Sequence, residues 1–179
     1  MSEKYKMYHG SYQIIKSIDL SKGRPRTDFG KGFYLGTNLG VAKNWALIMA
    51  TGDKIPTVMM YEVDGILFKD VINTLEFKEP SIEWLEFIKE NRQRISQNNT
   101  KIEPRHDYDV VRGPIADDKV AFVVKDYIDK KISAEEAIKR ARAMPSVMQY
   151  SFHTPKALSY IGKVYYSQYK NGKWTDWTA

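Results

Sequence analysis

Hydrophobic and polar residues follow two different spacings along the chain, one typical of strands and one typical of helices. Apolar residues dominate 57–63, and they alternate with polar residues over 147–153, which predicts strands in both places. Over 39–49 apolar residues recur every three or four positions instead, which predicts an amphipathic helix. Because strands and helices follow one another in an irregular order, the pattern favours an α+β fold over a doubly wound parallel sheet.

The other predicted elements follow the same two spacings. Extended segments are predicted over 4–8, 66–72 and 108–115, with a hairpin of two strands over 164–177. Helices are predicted over 80–97, 119–128, 134–143 and 155–161. Three helices have a predicted N-cap: Asn38 or Thr37 for 39–49, Ser133 with Glu136 for 134–143, and Thr154 with Pro155 for 155–161. Asn171-Gly172 predicts the turn of the hairpin.

Composition limits the class of protein. With 179 residues, of which 42% are hydrophobic, the chain has room for one substantial core, so a single domain over 1–179 is expected. The absence of cysteine excludes disulfides, thiolate zinc sites and thiol nucleophiles. No apolar run approaches the roughly 20 residues of a membrane helix. The first ten residues lack the apolar stretch of a secretory signal, and we therefore expect a cytoplasmic protein with no membrane partner.

The positive charge of the chain is a weak indication of its partners. Lys and Arg number 28 against 22 Asp and Glu, which gives a formal net charge of +6. Such a balance favours polyanions, including nucleic acid and phosphorylated small molecules. The basic residues are spread along the chain among acidic ones, however, and this is more typical of a solvated mixed surface than of a dedicated RNA groove.

The first segment with candidate chemistry is YHGS, at the end of the predicted strand 4–8. Glycine at position 10 lets another group approach the backbone closely. His9 can donate to a ligand hydroxyl while the Gly10 backbone meets a planar amide. A lone histidine is more often structural than functional, so this segment alone is weak evidence.

The second segment is DFGKGFY over 28–34, and Trp45 follows eleven positions after Tyr34. Two rings brought together from a strand and a helix can sandwich a flat heterocycle, and offset stacking contributes about 0.5–1.5 kcal/mol beyond area burial. Trp45 also lies on the apolar stripe of its predicted helix, which leaves a position in the core as the alternative.

Together YHGS, DFGKGFY and Trp45 resemble the NAD-binding half of the ADP-ribosyltransferase superfamily, particularly its poly(ADP-ribose) polymerase and diphtheria-toxin branch. That branch has an HGS segment, an FGKGIY-like segment and a second aromatic residue eleven positions after its tyrosine. With YDVVRGPIADD and QYSFHT, the whole chain is similar to a bacterial family of this superfamily whose members are suspected toxins of toxin–antitoxin pairs. The resemblance implies an ADP-ribosyltransferase-like split β-sheet core with surrounding helices, and NAD as co-substrate.

The resemblance also implies a role for each matching residue. His9 would hydrogen-bond the adenosine ribose, and the Gly10 backbone would hold the nicotinamide carboxamide. Tyr34 and Trp45 would stack on the two faces of the nicotinamide ring, with Trp45 in place of the usual tyrosine. The pocket rim would be shaped by Ser11, Phe29, Gly30, Lys31 and Gly32, although Lys31 is also consistent with an exposed loop charge.

The chain departs from the family pattern in two places. Val41 and Ala42 stand where the family often has lysine and serine, so one hydroxyl contact to the carboxamide is missing. Gln149 stands at the position of the family glutamate. The ribose develops oxocarbenium character as nicotinamide leaves, and a glutamine can orient its 2′-hydroxyl but has no charge and cannot act as a base. Because chain elongation in the family depends on that glutamate, the resemblance implies mono-ADP-ribosyl transfer, with Gln149, His9 and Tyr34 as the catalytic set.

Three functional hypotheses stay open. The first is an NAD-dependent ADP-ribosyltransferase that acts on a protein, nucleic acid or small molecule and has an antitoxin protein as partner. The second is a catalytically weak or inactive NAD or ADP-ribose binding module, which the glutamine at 149 favours. The third is a basic ribonuclease-like toxin that uses His9 or His106 with lysines, and it rests on the pI of about 9.3 and the small size alone.

Other polar residues have structural explanations as well as functional ones. A compensating carboxylate near the ribose could come from one of four aspartates, for which helix capping and solvated turns are the alternatives: Asp107, Asp109, Asp117 and Asp118. His153 lies in the same segment as Gln149 and can face the same pocket. No spacing of His, Asp and Glu is typical of a metal site.

Overall fold

The computed structural model describes residues 3–68, 71–92, 106–116 and 118–179. They form two compact units, each assembled from separate stretches of the chain. The first unit comprises Met1–Ile18, Tyr34–Ile72 and Thr154–Ala179, and the second comprises Asp19–Phe33 and Asn73–His153. Because the chain passes repeatedly from one unit to the other, neither is a continuous segment, and the single domain expected from composition stays a prediction.

Strands and helices are mixed along the described part of the chain, which agrees with the α+β class. The strands are β1 (Lys4–Ser11), β2 (Phe33–Gly36), β3 (Thr57–Asp64), β4 (Thr74–Glu76), β5 (Val110–Pro114), β6 (Met148–Phe152), β7 (Ile161–Lys170) and β8 (Lys173–Trp174). The α-helices are α1 (Leu39–Met49), α2 (Ile82–Arg92), α3 (Asp118–Ile128), α4 (Ala134–Arg142) and α5 (Pro155–Leu158). No helix within the described ranges is both long and apolar enough to cross a membrane.

The first unit is built on antiparallel strands in the order β2-β1-β3-β7-β8. All eight residues of β1 pair with β3, from Lys4 opposite Asp64 to Ser11 opposite Thr57. Helix α1 packs on these strands through a small cluster of Ala42, Ala46 and Val58. Short alanine side chains bring the helix backbone close to the sheet, and this places α1 directly over β1.

The described part of the second unit is built on strands in the order β4-β5-β6. β4 runs parallel to β5, and β6 pairs antiparallel with β5, from Val110 opposite Phe152 to Pro114 opposite Met148. Trp84 of α2 is fully buried, and its indole N–H donates to the Pro114 carbonyl across 3.2 Å. That bond satisfies the one polar atom of this large buried side chain.

Local sequence signals predicted several elements correctly. Helix α1 has the predicted bounds, and of the two candidate caps it is Asn38 whose side chain accepts from the Val41 amide. Ser133 caps α4 in the same way, since its hydroxyl oxygen accepts from the Glu136 amide. Thr154 caps α5, since its hydroxyl oxygen accepts from the Ala157 amide. In the hairpin between β7 and β8, Asn171 and Gly172 have φ of 51° and 78°, as a type I′ turn requires.

Other predictions were wrong where tertiary contacts decide the backbone. β1 continues through Ser11 because β3 pairs with it to that point, so the YHGS segment lies within a strand rather than after one. The piece predicted as extended over 66–72 begins instead with the 3₁₀ helix Gly65–Phe68, whose start is fixed when the Gly65 amide donates to the Glu3 carbonyl. Strand β4 was not predicted, and α5 ends at Leu158 rather than at 161. Residues 93–97 of the predicted second helix lie outside the described residues.

Candidate functional site

The His9 imidazole is tied to the strand that carries Tyr34. Its Nδ1 lies 2.8 Å from the Tyr34 carbonyl oxygen. A carbonyl can only accept, so the Nδ1 atom of His9 carries a proton and donates. This bond ties the end of β1 to β2.

Strand β1 lies between β2 and β3 in the sheet. Within the described residues their pairing comprises Tyr8 opposite Gly36, whereas continued antiparallel register would bring Tyr34 opposite Gly10. The Tyr34 carbonyl accepts from the His9 ring instead. On the other side of β1, Gly10 pairs with Val58 of β3, and Gly10 is buried.

Gly10 also has a packing role. A Cβ at this position would overlap the Ala42 carbonyl oxygen and lie 2.9 Å from the Ala46 amide nitrogen of α1. Helix α1 therefore crosses β1 at Gly10, in the helical turn that also holds Trp45. The position needs a glycine for helix packing, whatever its backbone binds.

Trp45 is not a core residue. The buried face of α1 consists of Ala42 and Ala46, and Trp45 is 39% exposed. The alternative that placed its ring in the core is therefore wrong. Tyr34 is half-buried in β2, and Ser11, at the end of β1, is half-buried with its hydroxyl oxygen accepting from the Gln13 amide. The first unit thus holds His9, Gly10, Tyr34 and the helix that carries Trp45 on adjoining elements.

In the second unit, the loop over 28–32 requires its two glycines. Gly30 has φ of 85°, a left-handed conformation that side chains other than glycine rarely adopt. The Thr27 hydroxyl donates to the Gly30 carbonyl across 2.5 Å and closes this turn. A Cβ on Gly32 would lie 2.7 Å from the Ser151 hydroxyl and 2.8 Å from the His153 ring. Both glycines are explained by the loop itself.

Two histidines hold the same loop by its carbonyl groups. His106 Nε2 donates to the Phe29 carbonyl across 3.0 Å, and His153 Nδ1 donates to the Lys31 carbonyl across 2.9 Å. The two rings meet edge to face, with centroids 4.5 Å apart. The Phe29 ring itself is fully buried beside Phe77 and Phe87, so of this residue only the backbone can contribute to a pocket rim.

These histidines are neutral in the fold. The pKa of His153 is lowered to about 4, mainly by burial; the bond to Lys31 acts in the opposite direction, and the neighbouring His106 adds to the lowering. Burial also lowers the pKa of His106. The second nitrogen of His106, Nδ1, accepts from the Tyr108 amide, so both of its ring nitrogens are bonded to the backbone. His106 is therefore poorly suited to the acid–base role of a ribonuclease.

Gln149 lies in β6, and its carboxamide nitrogen donates to Asp28 Oδ2 across 3.1 Å. Asp28 accepts from three further donors. They are Arg92 Nε at 2.9 Å and Nη2 at 2.6 Å, both to Oδ1, and the Ala116 amide at 3.2 Å to Oδ2. Only 13% of the Asp28 side chain and 22% of the Arg92 side chain are exposed. Sequence reasoning missed both residues, since Asp28 was placed in the DFGKGFY segment without a role.

The other candidate carboxylates are not arranged around Gln149 in this way. Asp109 Oδ2 accepts from the Asn73 amide, which joins the segments that lead into β4 and β5. Asp107 is exposed, Asp117 lies outside the described residues, and the side chain of Asp118 is not described either. Among the described residues, no group of three or more His, Asp and Glu could hold a metal ion.

Comparison with protein families covers most of the chain. The model of the family described as "Protein of unknown function (DUF3990)" matches residues 5–162. No curated protein and no solved structure matches the chain.

Proposed function

The chain belongs to the family described as "Protein of unknown function (DUF3990)", and since that description assigns no activity, we propose from the site geometry that it is an NAD-dependent mono-ADP-ribosyltransferase. In this proposal the strands and helices described above form an ADP-ribosyltransferase-like core. NAD is the co-substrate, and the acceptor is a protein, a nucleic acid or a small molecule.

The observation that carries the proposal is the contact between His9 and Tyr34, which ties the YHGS segment to the strand that carries Tyr34. The His9 ring bonds to the Tyr34 carbonyl, and in the proposal the Gly10 backbone bonds to the nicotinamide carboxamide. Trp45, in the helical turn packed on Gly10, is exposed enough to stack on a flat ring. An exposed aromatic ring suits a planar heterocyclic ligand better than it suits a phosphate or an aliphatic ligand.

The proposed reaction requires few catalytic groups of the protein. The bond between C1′ of the ribose and the nicotinamide nitrogen breaks, and nicotinamide leaves with the electron pair as a neutral base. A nucleophile on the acceptor then bonds to C1′ and loses its proton to solvent or to a base of the acceptor. Gln149 would orient a ribose hydroxyl. Orientation of the reacting groups lowers the activation barrier even where no carboxylate stabilises the developing charge.

One observation favours a second candidate function, a module that binds NAD or ADP-ribose without turnover. Gln149 is uncharged and already donates to Asp28, so it adds no negative charge beside the ribose. Binding by Gly10, Tyr34 and Trp45 needs none of that charge. The two functions therefore share the same binding residues and differ in whether the glycosidic bond is broken.

The test is incubation of the full-length protein with NAD. Calorimetry measures binding, chromatography measures release of nicotinamide, and mass spectrometry of a bacterial lysate detects components that gain ADP-ribose. Binding with release supports the transferase, and binding without release supports the module. A protein that neither binds nor cleaves NAD contradicts both.

The toxin role is tested separately, in cells. Induced expression of the transferase should arrest growth, and the Trp45→Ala variant should arrest it less. Equal arrest by both proteins would argue against a toxin that acts through NAD.

A further inference from the structure

The hairpin between β7 and β8 places two lysines directly opposite one another. Lys170 and Lys173 flank the Asn171-Gly172 turn as a cross-strand pair, and both are exposed. Like charges in directly opposite positions repel each other and destabilise a pair of strands. Neither lysine forms an ion pair with Asp176, the acidic residue closest to them in the sequence, or with another described Asp or Glu. The tip of the hairpin therefore carries a positive charge that the described part of the chain does not neutralise.

A third lysine and an aromatic ring lie beside this pair. Trp174 is opposite Tyr169, with ring centroids 5.5 Å apart. The ammonium group of Lys43, from α1, lies 5.2 Å from the centroid of the Trp174 ring. Trp174 is half-buried and packs on the small apolar cluster beneath α1, which holds its ring beside the helix. All of these contacts lie within the first unit.

The arrangement suits one nucleotide of a single strand. Bases stack on aromatic rings whatever the sequence, and lysines bind the phosphates of the backbone. A cation–π contact at a protein surface is weaker than the stacking of a base on tryptophan, so a base can displace Lys43, whose ammonium group then turns to a phosphate. Because side chains alternate across a strand, Lys170 and Lys173 project to the face of the hairpin opposite Trp174. A single strand that crosses the tip would place a base on one face and phosphates on the other.

Two other anionic partners fit this surface less well. A double helix keeps its bases stacked inside, so it would leave the Trp174 ring unused. An anionic membrane binds proteins whose aromatic rings enter the boundary between headgroups and acyl chains. The Trp174 ring is packed against the cluster beneath α1 instead, and this favours a ligand that comes to the ring.

We propose that the hairpin of β7 and β8 binds single-stranded nucleic acid, with a base stacked on Trp174 and phosphates bound by the three lysines around it. This inference goes beyond the proposed function and does not rest on it, because none of these residues is assigned to NAD. The sequence alone favoured a solvated mixed surface, since it is the fold that brings Lys43 to the hairpin.

The experiment measures binding of a fluorescently labelled oligothymidine of about 12 nucleotides, a length within the usual site sizes, by anisotropy and without NAD. We expect a Kd in the micromolar range at about 50 mM salt, as is typical where phosphate contacts dominate. In the double variant Lys170→Gln with Lys173→Gln, the affinity should fall about tenfold. The slope of log affinity against log salt should become smaller by about 1.4, because each phosphate contact to a single strand contributes about 0.7. The melting temperature should not fall, since the substitutions remove a repulsive pair.

The matched control is Lys6→Gln with Lys163→Gln, which removes the same charge from exposed positions of β1 and β7. Its affinity should stay within about twofold of the wild type, because salt screens charges that are distant from the ligand. Equal weakening in the two double variants would show that the overall charge attracts the oligonucleotide, and it would overturn the proposal.

NMR of the wild type tests the stacking directly. The indole N–H signal of Trp174, assigned by its loss in Trp174→Phe, should shift when the oligonucleotide is added, whereas that of the fully buried Trp84 should not. An unshifted Trp174 signal, no binding of the oligonucleotide, or equal affinity for a duplex of the same length would each overturn the proposal. Binding to vesicles of anionic lipid without binding to the oligonucleotide would also overturn it and would identify a membrane as the partner. None of these results alters NAD binding or nicotinamide release by the wild type, which test the proposed function separately.

Discussion

Trp45 and His9 show what sequence spacing can and cannot predict about a single candidate site residue. Both were selected by their spacing from other motif residues, and their positions in the fold add what spacing could not. Trp45 is an exposed ring on a helix whose buried face is made of alanines. His9 donates from Nδ1 to a backbone carbonyl of β2, a contact that spacing along the sequence does not predict.

Trp45→Ala should weaken NAD binding about tenfold in calorimetry, because one stacking face is lost together with its buried apolar area. The matched control is Leu47→Ala. Leu47 is on the same helix and 42% exposed, so its truncation removes a comparable apolar group without a stacking ring. NAD affinity in Leu47→Ala should stay within about twofold of the wild type. Equal losses in the two variants would show that Trp45 acts through the helix surface in general and not through the ring.

At the scale of elements, helices and turns were predicted well where the signal is local. Asn38, Ser133 and Thr154 cap helices because a side-chain oxygen reaches an amide three residues later, a geometry that depends on neighbours in sequence alone. The length of β1 was underestimated because its last three residues are strand only through pairing with β3. The loop 28–32 needed a further kind of information, since its shape depends on histidines that come much later in the chain.

The crossing of α1 over β1 gives the second prediction. Gly10→Ala should lower the free energy of unfolding by roughly 3 kcal/mol, because the added Cβ would meet helix backbone that cannot turn aside. Urea denaturation measures this as a lower midpoint with an unchanged slope. Gly162→Ala is the control, because its Cβ would lie 3.4 Å from the nearest atom, in ordinary contact, and its effect should be within about 0.5 kcal/mol. A Gly10→Ala protein as stable as that control would mean that α1 does not cross β1 at this glycine.

For the whole molecule, the sequence predicted the α+β class, and it could not reveal which distant residues meet. Asp28, Arg92 and Gln149 are ordinary polar residues in their own segments, and no local pattern marks them as one cluster. The same holds for His106 and His153, whose rings meet although they belong to separate segments of the chain. Burial of such groups is a property of the complete fold, and so are its consequences for stability.

The stability of the folded chain should therefore fall in mild acid. His153 has a pKa of about 4 in the fold against 6.5 in the unfolded chain, because burial disfavours its charged form. Between pH 4 and 6.5, His153 binds a proton in the unfolded chain but not in the folded one. The free energy of unfolding therefore falls as the pH is lowered from 6.5 toward 4. Each unit of pKa corresponds to about 1.4 kcal/mol, so the full loss is about 3 kcal/mol. His106, whose pKa burial also lowers, acts in the same direction.

Urea denaturation at a series of pH values measures this loss, and His153→Gln is the variant that isolates it. Glutamine does not titrate, and its amide can still donate to the Lys31 carbonyl that His153 now holds. The carboxylates of the chain contribute equally to both proteins, so the difference between the two stability curves belongs to His153. The variant curve should be flatter by about 3 kcal/mol between pH 6.5 and 4. Two parallel curves would mean that His153 is protonated in the fold as readily as in the unfolded chain, and that the loop 28–32 is not held by a neutral imidazole.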